Sequence, residues 1–460
     1  MFNELVNEVI SLIESRESRE RSRTEKEQSS FQYSVEYILK DLWLASKSVP
    51  VRETIMHKRS GHYSDNPRYR DPKLTYRPTM AAFEGLLNLN FIEITHEPEF
   101  NLQTKRGTAT RFIARDELLD RFNQLDGHPA ISLTPDLDSE TILLRDRIDG
   151  RNVLVPYDED KDTELWRTNL RKINECFSRH ILDLRIKDTE IKELQERLLG
   201  DDEKEPIDLT KKVLVRIFNN HSFEQGGRFY RGWWQNVPKE YRQFITIDSK
   251  KVTEYDFSQM NPNMIYDRYN HELGSEDAYS RVAGIEHRDV VKEAFNAMFQ
   301  SKTTLDRKPD GIELDEIGMT WKELKEEILK AHKPIKDLFF KGIGNKLQFE
   351  DSCIAESVML QFANSDAAAL PIHDSFVMHH GYGDKGGLEE AMRRAYFERF
   401  NSSLSEKRDL VEKVIHDKIR LDEDKNPINN SDGTIEVDDI INSDSEYSQW
   451  RNRDRMWMSR

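Results

Sequence analysis

Val252-Thr253-Glu254-Tyr255-Asp256-Phe257-Ser258-Gln259 begins like a strand and ends in a polar turn. It sets one aspartate where the apolar run gives out, with Ser and Gln directly after it. Ala369-Leu370-Pro371-Ile372-His373-Asp374-Ser375-Phe376-Val377-Met378 sets a second aspartate inside a short apolar strand pair, beside a histidine. Apolar flanks make a buried carboxylate costly unless a cation or hydrogen bonds compensate it. Two such aspartates brought together would hold a divalent metal through oxygen ligands. Between them, residues 286–299 read as a helix. Arg288, Lys292 and Asn296 are spaced four apart on it and so share one face. Lys as a point charge and Arg as a fork suit a triphosphate. Taken by itself, that helix has the plainer reading of a solvated basic face.

The order of the three elements is far more specific than any one of them. It resembles the palm of family A DNA polymerases and phage-type single-subunit RNA polymerases. Asp256-Phe257-Ser258-Gln259 is similar to motif A of the DNA enzymes, Arg288 with Lys292 to the RxxxK of motif B, and His373-Asp374-Ser375-Phe376 to motif C of the RNA enzymes. Flanking segments extend the resemblance over about residues 165–400: Gly226-Gly227-Arg228-Phe229-Tyr230, Gln235-Asn236-Val237-Pro238, Asp277-Ala278-Tyr279-Ser280 and the 347–360 helix. The resemblance implies that Asp256 and Asp374 bind two Mg²⁺ ions, with Mn²⁺ as the substitute. It implies catalysis by Asp256, Asp374 and Lys292, with Lys292 protonating pyrophosphate. Arg288, Gln259, His373, Arg228 and Asn296 would bind substrate.

The departures bear on specificity. Family A DNA polymerases carry a Glu two residues after the Gln of motif A, which helps exclude the ribose 2′-hydroxyl; here Asn261 stands there. The aromatic eight residues after the motif B Lys is replaced by Gln300, with Phe299 adjacent. Only 118 residues separate Asp256 from Asp374, so the fingers are expected to be small. No upstream acidic cluster resembles a proofreading exonuclease. The expected function is a Mg²⁺-dependent nucleotidyltransferase that extends a nucleic-acid 3′ end from nucleoside triphosphates. Template-directed DNA synthesis leads. RNA or primer synthesis, untemplated 3′ tailing and a nuclease are alternatives, and a DNA-binding protein with a degenerate palm is the non-enzyme alternative.

Residues 31–123 read as helix, helix and a β-hairpin. Thr79 is a candidate helix cap, residues 91–95 and 108–114 are strands, and Lys105-Arg106-Gly107 is a basic turn. That order resembles a winged helix, in which Lys105 and Arg106 would contact nucleic-acid phosphates. The plainer reading is a small packing domain with a solvated hairpin. Residues 1–30 read as a solvated helix or linker and 124–164 as a connector. Residues 165–420 read as polymerase-like thumb, palm and fingers, with continuous helical spacing over 165–199. Residues 421–460 read as a flexible acidic tail. The predicted class is α+β: a right-hand palm of antiparallel sheet with helices, reduced fingers, a small winged-helix-like domain and the tail.

Charge is unevenly placed. The chain of 460 residues has a net charge of −16, yet Asp422–Glu446 alone holds nine acidic residues and one Lys, whereas Lys47–Arg115 is net +5. The overall sign therefore does not exclude a nucleic-acid partner. Two cysteines, Cys176 and Cys353, exclude a disulfide scaffold and a Cys-based zinc cluster and fit a reducing cytoplasm. No apolar run reaches membrane-spanning length, and the first residues lack the pattern of a signal peptide. Trp233-Trp234 reads as a packed pair, His180 as a packed or surface residue, and His379-His380 as an exposed strand end.

Overall fold

Apolar residues recur every three or four positions from the first turn of the chain. The result is α1 (Phe2–Arg16), whose buried face carries Phe2, Leu5, Val6, Val9, Ile10 and Ile13. These side chains enter one core with Phe31, Val35, Ile38, Leu39 and Leu42 of α2 (Glu25–Ser46). The helix expected at the start of residues 1–30 is therefore packed along one face rather than solvated. Each such side chain gains about 1.5–3 kcal/mol on burial, and that outweighs the mixed charges beside them.

The structure is a computed structural model that describes residues 2–19, 21–46, 53–101, 106–107, 109–125, 137, 139–199, 206–274, 276–315, 317–383, 387–400, 410–414, 420–421 and 427–428. These fall into two units. Of the described residues, one comprises those up to Glu140 with those of Arg185–Thr210, the other those of Thr141–Leu184 with those from Lys211 to Ile428. Among the described residues no helix is long and apolar enough to cross a membrane.

The first unit continues with β1 (Thr54–Met56), α3 (Gly61–Ser64), α4 (Tyr76–Asn88), β2 (Ile92–His96), β3 (Phe100–Asn101), β4 (Arg106–Gly107), β5 (Thr110–Ala114) and α5 (Asp116–Leu125). Its antiparallel sheet has the order β1-β5-β2, and β3 pairs with β4 in a ladder of its own. The α4 helix starts earlier than its capping signal suggested. Thr75 is the N-cap, Pro78 is tolerated in the first turn, and Thr79 is buried inside the helix, its hydroxyl donating to Thr75 O (2.8 Å). Lys105 and the side chain of Arg106, the expected basic tip, lie outside the described residues.

The second unit begins where a connector was expected. There β6 (Ile142–Ile148) and β7 (Arg151–Leu154) form a hairpin, with Asp149 and Gly150 at φ +50° and +77° between them. An Asp-Gly pair at positive φ is the chemistry of a two-residue turn. Next come α6 (Lys161–Arg179), opened by an Asp160–Thr163 capping box, and β8 (Leu182–Leu184). Then α7 (Asp188–Leu199), with residues 185–210, belongs to the first unit, not to the expected 165–420 domain. Helical spacing also misassigned Leu182 and Leu184. They form a strand because they pair with Ile245–Ile247, a long-range contact that no local period reports.

After β9 (Val215–Asn219), β10 (Ser222–Tyr230), β11 (Ile245–Ile247) and β12 (Lys250–Phe257) come α8 (Met260–Arg268), α9 (Ser280–Ala283), α10 (Arg288–Gln300), α11 (Trp321–Ala331) and α12 (Gly344–Ala363). Then follow β13 (Ala369–Ile372), β14 (Ser375–His379), α13 (His380–Gly383), α14 (Gly387–Phe400), β15 (Val411–Lys413), β16 (Arg420–Leu421) and β17 (Pro427–Ile428). One sheet has the order β10-β9-β6-β7, with β6 and β9 parallel. The other, antiparallel throughout, has the order β13-β14-β12-β11-β8, with β15 also paired to β12. The unit is thus mixed α+β and largely antiparallel. Of the expected acidic tail, the described residues comprise only Leu421 and the Pro427–Ile428 strand.

Candidate active site

Alternation along β12 buries Tyr255 and Phe257 on one face and turns Glu254 and Asp256 to the other. Asp256 lies in register with Ser375, the residue after Asp374, so the antiparallel pairing of β12 with β14 brings the two aspartates together. The Phe257 backbone N–H donates to Asp374 O (3.2 Å) and fixes that junction. His373 and Asp374 form the tight turn between β13 and β14, and His373 takes φ +57°. Buried Trp234 anchors the incoming strand by donating from Nε1 to Pro371 O (3.0 Å), so the tryptophan pair is packed as expected.

All eight expected catalytic and substrate residues of this unit line one open cleft of about 350 Å³: Arg228, Asp256, Gln259, Arg288, Lys292, Asn296, His373 and Asp374. Asp256 is pushed up to about 8 by burial, then by Asp374 and Glu254, while Lys292 pulls it back. Its Oδ1 is buried and has no hydrogen-bond partner among the described residues. A carboxylate whose ionised form is disfavoured, with an orphaned oxygen and a second carboxylate beside it, fits a hard divalent cation. The carboxylate oxygens of Asp256 and Asp374 are the hard donors that suit Mg²⁺ or Mn²⁺.

The cationic side of the cleft comes from α10, a helix one face of which carries Arg288, Lys292 and Asn296. Arg288 Nε donates to Asp277 Oδ2 (2.9 Å), and its guanidinium lies 5.2 Å from the ring centre of buried Tyr279. Asp277 also accepts from the backbone N–H groups of Tyr279 and Ser280, and it stays below the usual carboxylate range although burial works the other way. Lys292 is exposed, and no hydrogen bond or ion pair with a described residue engages it. Asn261 Nδ2 donates to Asn296 Oδ1 (2.9 Å) at the edge of an adjoining recess of about 190 Å³, which Phe299 and Gln300 also line.

Two expected substrate contacts have structural ties. Gln259, at φ +51°, caps α8, and its Oε1 accepts from the Ala278 N–H (2.5 Å), binding the turn after β12 to the Asp277 segment. Arg228 Nε donates to Asp351 Oδ2 (2.6 Å) of α12. Burial pushes Asp351 up to about 6, with Arg228 pulling it back. Burial opposes the Arg228 charge as well, but Asp351 and Asp374 more than hold it in place. Gly226 and Gly227, at φ +79° and +78°, make the bulge in β10 that aims Arg228. A Cβ on Gly227 would stand 2.9 Å from Ser352 Oγ. His373 is held below its ordinary value by the loss of water around its ring, then by Arg228.

Sequence reading passed over Glu254, Tyr279, Asp351 and Glu412. Glu254 is buried, and its Oε1 accepts from Arg242 Nη1 (2.9 Å) and Ser375 Oγ (2.8 Å). Neither it nor Asp351, which stands between Glu350 and Ser352, carried a signal of burial in its sequence neighbours. Glu412 lines the cleft from β15 and carried none, because its position depends on strand pairing. Outside the cleft, the described residues also bring Cys176, His180 and Asp366 together. Both His180 ring nitrogens are engaged there, Nδ1 with Asp248 Oδ2 (2.6 Å) and Nε2 with Asp366 O (3.1 Å). The Asp248 contact, then Cys176, raises the imidazole to about 10. His180 is thus a charged clamp.

No known protein family, curated protein or solved structure matches the chain.

Proposed function

We propose that the protein is a nucleotidyltransferase that extends a nucleic-acid 3′ end from nucleoside triphosphates, with template-directed DNA synthesis as the leading activity. The observation that carries this reading is the cleft in which Asp256 and Asp374 face Arg288 and Lys292. A hydrolase of phosphodiesters needs the carboxylates but has no use for a cationic helix across from them. The sheet around Asp256 and Asp374 would be a polymerase palm, and α9 to α11 reduced fingers. The first unit, with its β1-β5-β2 sheet behind α2 and α4, would be a winged helix that contacts nucleic acid.

Asp256 and Asp374 would hold Mg²⁺, which when bound activates the attacking 3′-hydroxyl and neutralises charge on the triphosphate. Arg288, fixed by Asp277 and Tyr279, would grip the triphosphate without a large entropy loss on binding. Exposed Lys292 would follow the charge as it moves to the leaving pyrophosphate and donate a proton there. Arg228, clamped on Asp351, would hold a nucleic-acid phosphate or the primer terminus. Gln259 would act through the Asp277 segment by positioning it. Arg288, Arg228 and Gln259 are held in place by protein contacts, so the barrier would fall mainly through positioning and electrostatics.

Ribonucleotide use is the second reading. Asn261 adds no carboxylate to the cleft and is bonded to Asn296, so that position has no acidic side chain to crowd a 2′-hydroxyl. Extension of a labelled primer by the pure protein with Mg²⁺, given dNTPs or NTPs with and without template, separates these readings. The expected result is templated extension that disappears in Asp374→Ala. Nucleic-acid binding without incorporation of any nucleotide would overturn the proposal in favour of a non-catalytic binding protein.

A further inference from the structure

The strand β15 has no part in any motif, yet it pairs with the last residues of β12. Asp256 and Glu412 are directly opposite one another, with Tyr255 opposite Lys413 and Phe257 opposite Val411. Two backbone bonds clamp this register, Ser258 N–H to Leu410 O (2.8 Å) and Val414 N–H to Glu254 O (2.9 Å). Opposed residues of an antiparallel pair project from the same face with Cβ atoms about 5 Å apart. Glu412 therefore stands beside Asp256 and lines the same cleft. Like charges opposed across a ladder are destabilising. This pair is set against a third carboxylate, Asp374, and beside the orphaned Asp256 Oδ1. Neither a hydrogen bond nor an ion pair to a described residue engages Glu412. A cation among the three carboxylates removes the repulsion and gives the orphaned oxygen a partner.

We propose that Glu412 is a third carboxylate ligand of the divalent ion held by Asp256 and Asp374, so that β15 completes the metal site. This inference rests on the reading of the cleft as a Mg²⁺ site. Three carboxylates give a more negative donor set than two and still leave positions for water around the ion. The ion then has ligands from β12, from the β13–β14 turn and from β15, three elements far apart in the chain.

The test is Mn²⁺ binding to the full-length protein without nucleotide, read by the loss of the free-ion EPR signal, for the wild type, Glu412→Gln, Glu412→Asp and Asp256→Asn. Melting temperature is measured on each, with and without Mn²⁺. The inference predicts that Glu412→Gln weakens Mn²⁺ binding roughly 10–100-fold and that Glu412→Asp recovers part of it. It also predicts that the melting temperature of Glu412→Gln gains less from Mn²⁺ than that of the wild type. Unchanged binding in Glu412→Gln, with binding lost in Asp256→Asn, would overturn the role of Glu412 and leave the site reading standing. Unchanged binding in both variants would overturn both.

Discussion

Asp256 is held in the folded protein at about 8, against an ordinary value of 3.8. Between those two values the folded state keeps a proton that the unfolded chain has lost. Stability of the metal-free protein therefore falls as pH rises from about 4 through about 8. Mg²⁺ needs the ionised carboxylate, so its stabilising effect grows across the same window. Melting temperature measured against pH with and without Mg²⁺ should show two curves that diverge upward in pH, and Asp256→Asn should bring them together. At Lys292, replacement by Ala should lower kcat/KM for nucleotide roughly 10–100-fold, or about 1.4–2.7 kcal/mol, with nucleic-acid affinity nearly unchanged, measurable by steady-state kinetics and a binding titration. Asp256, Asp374, Arg288 and Lys292 were legible in the sequence because each sits in a short pattern whose residue types already carry the chemistry. Glu412 was not, since what makes it interesting is the residue across the ladder.

At the scale of elements, α12 carries an unusual load of buried charge. Asp351 binds Arg228, Glu350 binds Arg268 and Arg399, and Glu356 binds Arg216 (2.7 Å). Arg216 is fully buried and also donates to Gly227 O (2.9 Å) and Ser352 Oγ (3.0 Å). Removing one partner leaves a buried charge uncompensated. Glu356→Leu should therefore cost about 3–5 kcal/mol in denaturant unfolding. The same network sets the β10 bulge, and Gly227→Ala should both destabilise and displace Arg228, by ~1–3 kcal/mol for the strained positive φ. On β8's side of the sheet, the His180–Asp248 pair raises His180 from 6.5 to about 10. Its contribution is complete below 6.5 and is lost as pH rises through about 10. The wild type should lose stability in that window, and His180→Gln should not. Helices with sustained spacing, such as α6 and α10, were readable from period alone. The β6–β7 hairpin was not, although Asp149-Gly150 held the turn signal, because its strand partner β9 lies far along the chain.

For the molecule as a whole, a net charge of −16 says little about the cleft, where the cations of α10 face the carboxylates of β12 and the β13–β14 turn. The first unit's architecture was partly legible. Its helices and the β2 and β5 strands follow the apolar pattern, while the burial of α1 in the same core was hidden by the charged residues that follow it. If that unit contacts nucleic acid, affinity should fall linearly on a log–log plot against salt, and a titration at several ionic strengths checks it.

Asp256 and Asp374 face Lys292 across one cleft, and the proposed nucleotide transfer there requires all three. Its most direct test is nucleotide incorporation at a labelled primer 3′ end with Mg²⁺, comparing wild type with Asp374→Ala. Template-dependent extension by the wild type, reduced at least about 10²–10³-fold in the variant, is the predicted result. Binding of primer and template with no extension under Mg²⁺ or Mn²⁺, with either nucleotide set, would contradict it.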